Sequence, residues 1–448
     1  MPMTFHDLNL NASLLNALDD IGISTPTTIQ QKVFSVVMSG SDVCGIAQTG
    51  TGKTFAYLLP MLRQFKFSKD PHPQMLIIVP TRELVVQVTE AVKKLSKYLT
   101  LEAVGVYGGV NMKPQIAAVG NGLDVLVATP GRLLDLILNG ALKTKAIKKL
   151  VIDEVDEMLN LGFRPQLNRV MALLPPKRQN LMFSATLTEE VQQFITDYFN
   201  DPQRVEAAPA GTPLENIDQA VYEVPNFNTK VNLLEYLLAH DAETTKVLVF
   251  TSTKALANQL FEKVENQYPE QVGVIHSNKE QNHRFNTVKQ FKEGNYRFII
   301  ATDIVARGID IAEVTHVINF DLPEIPENYI HRIGRTGRAD KQGIAISLVT
   351  EKEKEQLNAI EELMRYQVPV KDLPGDLEIS TVLTPDEMPK VIIKEIKLKI
   401  PKREDVGPAF HEKSAKNSKK NIKVSHADKM MQKYGKKKTR GAKPKRKK

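Results

Sequence analysis

Residues 42–54 read Asp-Val-Cys-Gly-Ile-Ala-Gln-Thr-Gly-Thr-Gly-Lys-Thr. A short apolar run, Asp42–Ala47, passes through glycine-rich residues into an amphipathic stretch, Thr54–Phe65, so the segment is expected to be strand, turn and helix. The turn, Ala47-Gln48-Thr49-Gly50-Thr51-Gly52-Lys53-Thr54, has the spacing of a phosphate-binding loop, with Ala47 where the general pattern has glycine. In such a loop the backbone N–H groups of Thr49, Gly50, Thr51 and Gly52 close around phosphates, and the helix N-terminus adds a favourable dipole. Lys53 would reach the β- and γ-phosphates of a nucleotide, and Thr54 would ligate Mg²⁺. The bland alternative is a glycine-rich strand-to-helix turn without a ligand.

Working outward, the same alternation repeats. Strands are expected at Met75–Val79, Asp124–Ala128, Leu150–Asp153 and Leu181–Ser184, with helices at Arg82–Tyr98, Leu133–Leu138 and Glu189–Phe199. Apolar strands alternating with helices indicate parallel βαβ units buried on both faces. Residues 207–216, AAPAGTPLEN, carry two prolines and no apolar periodicity and read as a linker. The alternation then restarts with strands at Val247–Thr251, Val272–His276, Phe298–Thr302, Val314–Phe320 and Ile344–Val349. Helices are expected near Lys230–Leu238, Ala255–Gln267, Gln281–Lys292 and Glu327–Gly334. The chain therefore divides into an α/β domain (1–206), a linker (207–216), a second α/β domain (217–367), an extension (368–400) with one exposed strand at Val391–Ile400, and a tail (401–448).

Composition narrows the possibilities. The 448 residues are 42% hydrophobic and 25% charged, a soluble globular balance, and no run approaches the eighteen apolar residues of a membrane span. The opening MPMTFHDLNL is neither basic nor apolar in the manner of a secretory leader. Cys44 is the single cysteine, which excludes an internal disulfide or an all-cysteine metal site and suits a reducing, cytosolic setting. The net charge of +8 is unevenly placed: residues 401–448 hold 18 Lys+Arg against 4 Asp+Glu, and the rest of the chain is net negative. The basic tail, expected to be disordered, is a candidate polyanion binder, whereas the body is not.

A second site follows Leu150-Val151-Ile152, where Asp153-Glu154-Val155-Asp156 puts carboxylates at the carboxyl end of a buried strand. Asp153 would hold Mg²⁺, and Glu154 would polarise an attacking water. An acidic helix start is the alternative when the tetrapeptide is read alone.

With these two sites in view the chain resembles a DEAD-box ATP-dependent RNA helicase, its namesake tetrapeptide written Asp-Glu-Val-Asp. The match spans about residues 5–350. Phe5 and Gly22-x-x-x-Pro26-Thr27-x-Ile29-Gln30 resemble the adenine-reading motif, which implies that Gln30 bonds the adenine edge and Phe5 packs on the ring. Pro80-Thr81-Arg82-Glu83-Leu84, Gly108-Gly109 and Thr129-Pro130-Gly131-Arg132 resemble the RNA-facing motifs, which implies RNA contacts by Pro80, Thr81, Arg82, Gly109, Thr129 and Arg132. Ser184-Ala185-Thr186 resembles the motif that bonds the acidic tetrapeptide, here through Asp156, coupling ATP state to domain closure.

In the second half His331-Arg332-Ile333-Gly334-Arg335-Thr336-Gly337-Arg338 resembles the arginine-finger motif. The likeness implies Arg335 and Arg338 as fingers, with His331 positioning the water. Ala301–Asp310 resembles the motif in which Asp310 meets the ribose and Thr302 the RNA. Phe250-Thr251-Ser252 and Gln281-x-x-Arg284 add Thr251 and Arg284 as RNA contacts. One departure is His276-Ser277, where the family often has His-Gly.

The resemblance implies two tandem RecA-like parallel-sheet domains with ATP·Mg²⁺ in the cleft between them. RNA would be gripped by its backbone, and hydrolysis would drive local duplex unwinding or remodelling of RNA–protein complexes. Ribosome-assembly or RNA-decay partners follow from bacterial members by analogy alone. The rival readings are an ATP-gated RNA clamp with little turnover, for which Val155 in place of alanine is the hint, and a DNA-directed helicase on the same fold.

Overall fold

The computed structural model describes residues 3–48, 50–207, 216–240, 243–303, 314–337, 342–384, 387–388 and 426–435. Thr49, Asp310 and Arg338, most of the 207–216 linker and the strand expected at Val391–Ile400 lie outside these residues. The chain separates into two units, Met1–Met388 and Pro389–Lys448.

The first unit contains two seven-stranded, all-parallel sheets. The first is built from β1 (Val43–Ile46), β2 (Met75–Ile78), β3 (Ala103–Val106), β4 (Val125–Ala128), β5 (Lys149–Asp153), β6 (Gln179–Ser184) and β7 (Gln203–Glu206), in the order β3-β4-β2-β5-β6-β1-β7. The second uses β8 (Ile217–Glu223), β9 (Val247–Thr251), β10 (Val272–Ile275), β11 (Phe298–Thr302), β12 (His316–Asn319), β13 (Gly343–Val349) and β14 (Val370–Lys371), in the order β10-β11-β9-β12-β13-β8-β14. Helices cover both faces, so each central strand alternates between two cores. Leu76 and Ile78 join one core while Ile77 joins the other, and Met182 is separated from Leu181 and Phe183 in the same way. The period of two along a pleated strand produces this division.

Both phosphate loop and acidic tetrapeptide follow from the sheet order. β1 and β5 flank β6, so their carboxyl ends open side by side. Gly45 makes that packing possible, because a side-chain carbon there would stand 2.6 Å from the Phe183 ring on the paired strand.

Several elements escape a reading by periodicity. β3, with sequence AVGV, is an edge strand, and β7 is mostly polar. The helices Ala12–Ile21 and Thr28–Ser39 build the wall beside the phosphate loop. Beyond residue 367, where the apolar pattern stops, the chain is still folded onto the second domain. β14 pairs with β8, and a strap follows along the helix Phe227–His240. Asn226, Asn228 and Asn232 donate to the carbonyls of Ser380, Val382 and Glu378 at 2.6, 2.8 and 2.8 Å. The Phe227 N–H in turn donates to Glu387 Oε1 at 2.5 Å. Side chains grip backbone here, so the strap needs no apolar repeat. In the second unit a helix forms over His426–Tyr434.

Candidate functional site: a nucleotide pocket and an adjoining two-domain groove

The phosphate loop closes on itself through Thr51, whose hydroxyl donates to the Gln48 carbonyl at 2.7 Å. Gly50 and Gly52 have φ of +85° and +87°, a left-handed conformation that favours glycine. Gly52 caps the helix Lys53–Arg63, and a side chain on it would collide with Gln30. Gln30 in turn donates from Nε2 to the Gly52 carbonyl at 3.1 Å and accepts the Thr27 N–H on Oε1 at 3.0 Å. The segment around Gln30 is thereby fastened to the phosphate loop. Phe5 is 2% exposed within the core and anchors the N-terminal segment.

Lys53 is 6% exposed, and its Nζ has no hydrogen-bond partner among the described residues. A buried, unpaired ammonium is costly unless an anion completes it, which is what a triphosphate would do. Beside it lies Asp153 at the end of β5. Its Oδ2 accepts the Tyr57 hydroxyl at 3.0 Å and its Oδ1 the Glu154 N–H at 3.0 Å. Burial pushes the Asp153 carboxyl up to about 6, against the opposing pull of Lys53. Thr54, half-buried, opens the same helix as Lys53 and Tyr57.

Glu154 takes a left-handed backbone, φ +53° and ψ +50°, at the start of the helix Val155–Asn160. For a non-glycine residue this conformation is strained, and such strain gathers at working sites. Nothing in the sequence announces it, since the surrounding sheet and helix impose the turn. Val155 is fully buried in the core behind the loop.

Asp156 Oδ2 accepts three donors: the Ala185 N–H at 3.1 Å, the Thr186 N–H at 2.9 Å and the Thr186 hydroxyl at 2.9 Å. Ser184 locks that turn by donating to the Thr186 carbonyl at 2.6 Å. Burial would raise the Asp156 carboxyl, but His331, Lys53 and Thr186 together hold it well below the usual carboxylate range. His331 Nε2 stands 3.7 Å from Asp156 Oδ2, an ion-pair distance that brings the second domain to the acidic loop.

The helix Pro326–Ile333 that carries His331 is fixed by Arg332, a residue assigned no role by sequence. Arg332 is 1% exposed and bidentate to Asp303, at 2.5 and 2.8 Å. Its Nη1 also reaches Asn319 Oδ1 at 3.2 Å and the Asp321 carbonyl at 2.6 Å. Arg335 follows one turn later, buried, with Nε donating to the His331 carbonyl at 3.2 Å. Of the three arginines in the run, Arg332 is structural in this arrangement, and its alternation with Arg335 is visible only once the helix is folded.

A groove of about 410 Å³ is lined by Pro80, Thr81, Arg82, Gly109, Thr129 and Arg132 of the first domain and by Ser277 and Arg284 of the second. Gly109 is left-handed, and a side chain there would overlap the Arg82 guanidinium. The two domains meet across it. Gln281 accepts from Arg82 at 3.0 Å and donates to Glu83 at 3.0 Å, while Arg284 forms a tight ion pair with Glu83. Glu83 was legible in sequence only as part of a motif; its partners lie about two hundred residues away. Thr251 and Thr302 are buried and do not line this groove.

A phosphate loop, an acidic tetrapeptide and a histidine and arginine supplied by a second, like-built domain define a two-domain P-loop nucleoside triphosphatase. Two family models match the chain, DEAD/DEAH box helicase over residues 27–194 and helicase conserved C-terminal domain over residues 229–340. The ATP-dependent RNA helicase DbpA of Bacillus subtilis is 36% identical over 377 residues, covering 84% of this chain and 78% of the relative. RhlB of Pseudomonas syringae is 38% identical over 382 residues, covering 83% and 96%. The chain belongs to the DEAD-box family of ATP-dependent RNA helicases.

Among solved structures, S. cerevisiae Dbp5 bound to RNA and ADP BeF3 superposes with a TM-score of 0.75 at 30% identity, covering 83% of this chain and 96% of the other. A DEAD box protein from Methanococcus jannaschii gives 0.51 at 35% identity, covering 83% and 99%.

Proposed function

We propose that ATP occupies the pocket between the phosphate loop and the helix bearing His331 and Arg335. RNA, by the same reading, lies in the adjoining groove. The observation that carries this reading is the 3.7 Å approach of His331 to Asp156, because it joins the second domain to the loop that would sense the γ-phosphate. Lys53 is the phosphate-binding ammonium, and Gln30 and Asp310 hold the adenine and ribose ends.

Glu154, which makes no hydrogen bond to the described residues through its side chain, takes the role of general base toward the attacking water. Arg335 and Arg338 stabilise charge developing on the transferred phosphoryl group. Magnesium fits this site: Asp153 offers one buried carboxylate beside Lys53, and Mg²⁺ characteristically takes one or two carboxylates together with phosphates and water. Asp153 and Thr54 are the residues that would hold it, and when bound it neutralises phosphate charge.

Arg82, Arg132 and Arg284, with the helix starts at Thr81 and Thr129, grip the sugar–phosphate backbone with little base readout. Thr251 and Thr302 belong to the same RNA path beyond the groove. RNA touching both domains favours the closed arrangement, hydrolysis reopens it, and repeated closure locally separates short duplexes or remodels RNA–protein complexes. A cytosolic setting suits the lone thiol of Cys44, and ribosome assembly or RNA decay are the processes we favour.

The test is an ATPase and strand-separation assay with RNA and DNA of equal sequence. Stimulation and unwinding by RNA alone are expected. ATP-dependent RNA retention without turnover would support a clamp instead, and equal stimulation by DNA would support the DNA-directed rival.

A further inference from the structure

We propose that Ser277 is a second-domain contact to the ribose–phosphate backbone of the bound strand; this rests on the groove being the RNA path. Ser277 follows β10, at the position where the family often has glycine. It is exposed, lines the groove, and makes no hydrogen bond to the described residues. Its neighbours are tied into the fold. His276 pairs through Nε2 with Asn258 Oδ1 at 3.0 Å, Asn278 Oδ1 accepts Lys254 Nζ at 2.9 Å, and the Lys279 N–H closes the turn onto the His276 carbonyl at 3.0 Å. The turn is therefore built, and it presents one uncommitted hydroxyl to the groove.

The opposite wall is cationic, with Arg82 and Arg132. Among the described residues the second domain adds Arg284 and Ser277 to the lining. Arg284 is half-buried and commits one donor from each Nη to Gln281 and Glu83. Ser277 is the exposed one of the two. A serine hydroxyl both donates and accepts, so it can meet a phosphate oxygen or a ribose 2′-hydroxyl. Because Arg82 and Arg132 belong to the first domain, a strand bonded to them and to Ser277 spans the two domains and favours their closed arrangement.

The experiment uses the full chain, with direct binding of a single-stranded RNA and the RNA concentration for half-maximal ATPase as readouts. Ser277→Ala and Ser277→Gly should each weaken RNA binding about three- to tenfold, the worth of one hydrogen bond, and Ser277→Thr should restore it. The salt dependence of binding should keep its slope, since no charge is lost. A 2′-deoxy strand of the same sequence separates the sources: a penalty that persists assigns the contact to phosphate, and one that vanishes assigns it to the 2′-hydroxyl. Binding by Ser277→Ala within twofold of the parent overturns the proposal, as does a flattened salt slope or a Gly variant that binds more tightly than the Ala variant. Absence of RNA stimulation in the parent chain would instead overturn the underlying functional reading.

Discussion

His331 Nε2, on the second domain's helix Pro326–Ile333, stands 3.7 Å from Asp156 Oδ2, which the first domain already holds with three donors from residues 185 and 186. One carboxylate oxygen therefore joins the acidic tetrapeptide, the Ser184–Thr186 turn and the opposite domain. Asp156→Asn removes the charge that this arrangement is built around. It should reduce stability by about 1–3 kcal/mol and reduce the stimulation of ATPase by RNA. The Asp156 carboxyl lies below its ordinary value in the folded chain, so its contribution is full above the unfolded value of about 3.9 and is lost as pH falls through the lower folded value. The gap in thermal stability between parent and variant should be complete at pH 7 and shrink below about pH 4, as followed by calorimetry.

Glu154→Gln preserves shape and removes a base. ATP and RNA binding should survive while turnover drops about 10²- to 10⁴-fold. Lys53→Ala, by contrast, should weaken ATP binding and hydrolysis together. Near-parental turnover in Glu154→Gln would remove that residue from the chemistry.

Arg335→Ala should lower hydrolysis by about 10³-fold or more, as loss of an arginine finger does. Arg332→Ala should act differently. It leaves the partly buried Asp303 carboxylate without its partner and strips support from the helix, so thermal stability should fall by about 2–4 kcal/mol. Equal thermal stability of the two variants would place both arginines in one role.

Val155→Ala tests the residue that distinguishes this tetrapeptide from the family's name. The side chain is fully buried in a packed core, so its truncation should cost about 2 kcal/mol of stability. RNA-stimulated turnover should change less than about tenfold, because the side chain faces the core and not the nucleotide. Robust turnover appearing only in the Ala variant would revive the clamp reading.

Removing residues 401–448, with their 18 basic and 4 acidic side chains, should weaken RNA binding at low salt. Four or five lysines engaged on a single strand contribute about −3 to the slope of log affinity against log salt, so truncation should flatten the slope by that amount. An unchanged slope would exclude a tethering role.

Much of this molecule is legible without coordinates, and the reason is local. A strand buried on both faces must be apolar throughout, and a phosphate loop needs its glycines and lysine in consecutive positions. Both β1 with Lys53 and β5 with Asp153 therefore declare themselves in short windows of sequence. Edge strands such as β3 and β7 do not, because one side of an edge strand carries less apolar demand. The strap over residues 376–384 is silent for a related reason: Asn226, Asn228 and Asn232 hold its backbone, which any sequence possesses.

The amino-acid order by itself determined two parallel α/β domains, a nucleotide-binding loop, an acidic tetrapeptide and a basic tail, since each rests on composition or spacing within about a dozen residues. Only the tertiary structure decided which groups meet. Burial of Phe5 in the core, the strained turn at Glu154, the separation of Arg332 from Arg335, and the contacts of Glu83 with Arg284 and Asp156 with His331 all depend on segments far apart in the chain. Pairings of that kind arise from the closure of long loops and the packing of whole elements, and no local pattern of residues encodes them.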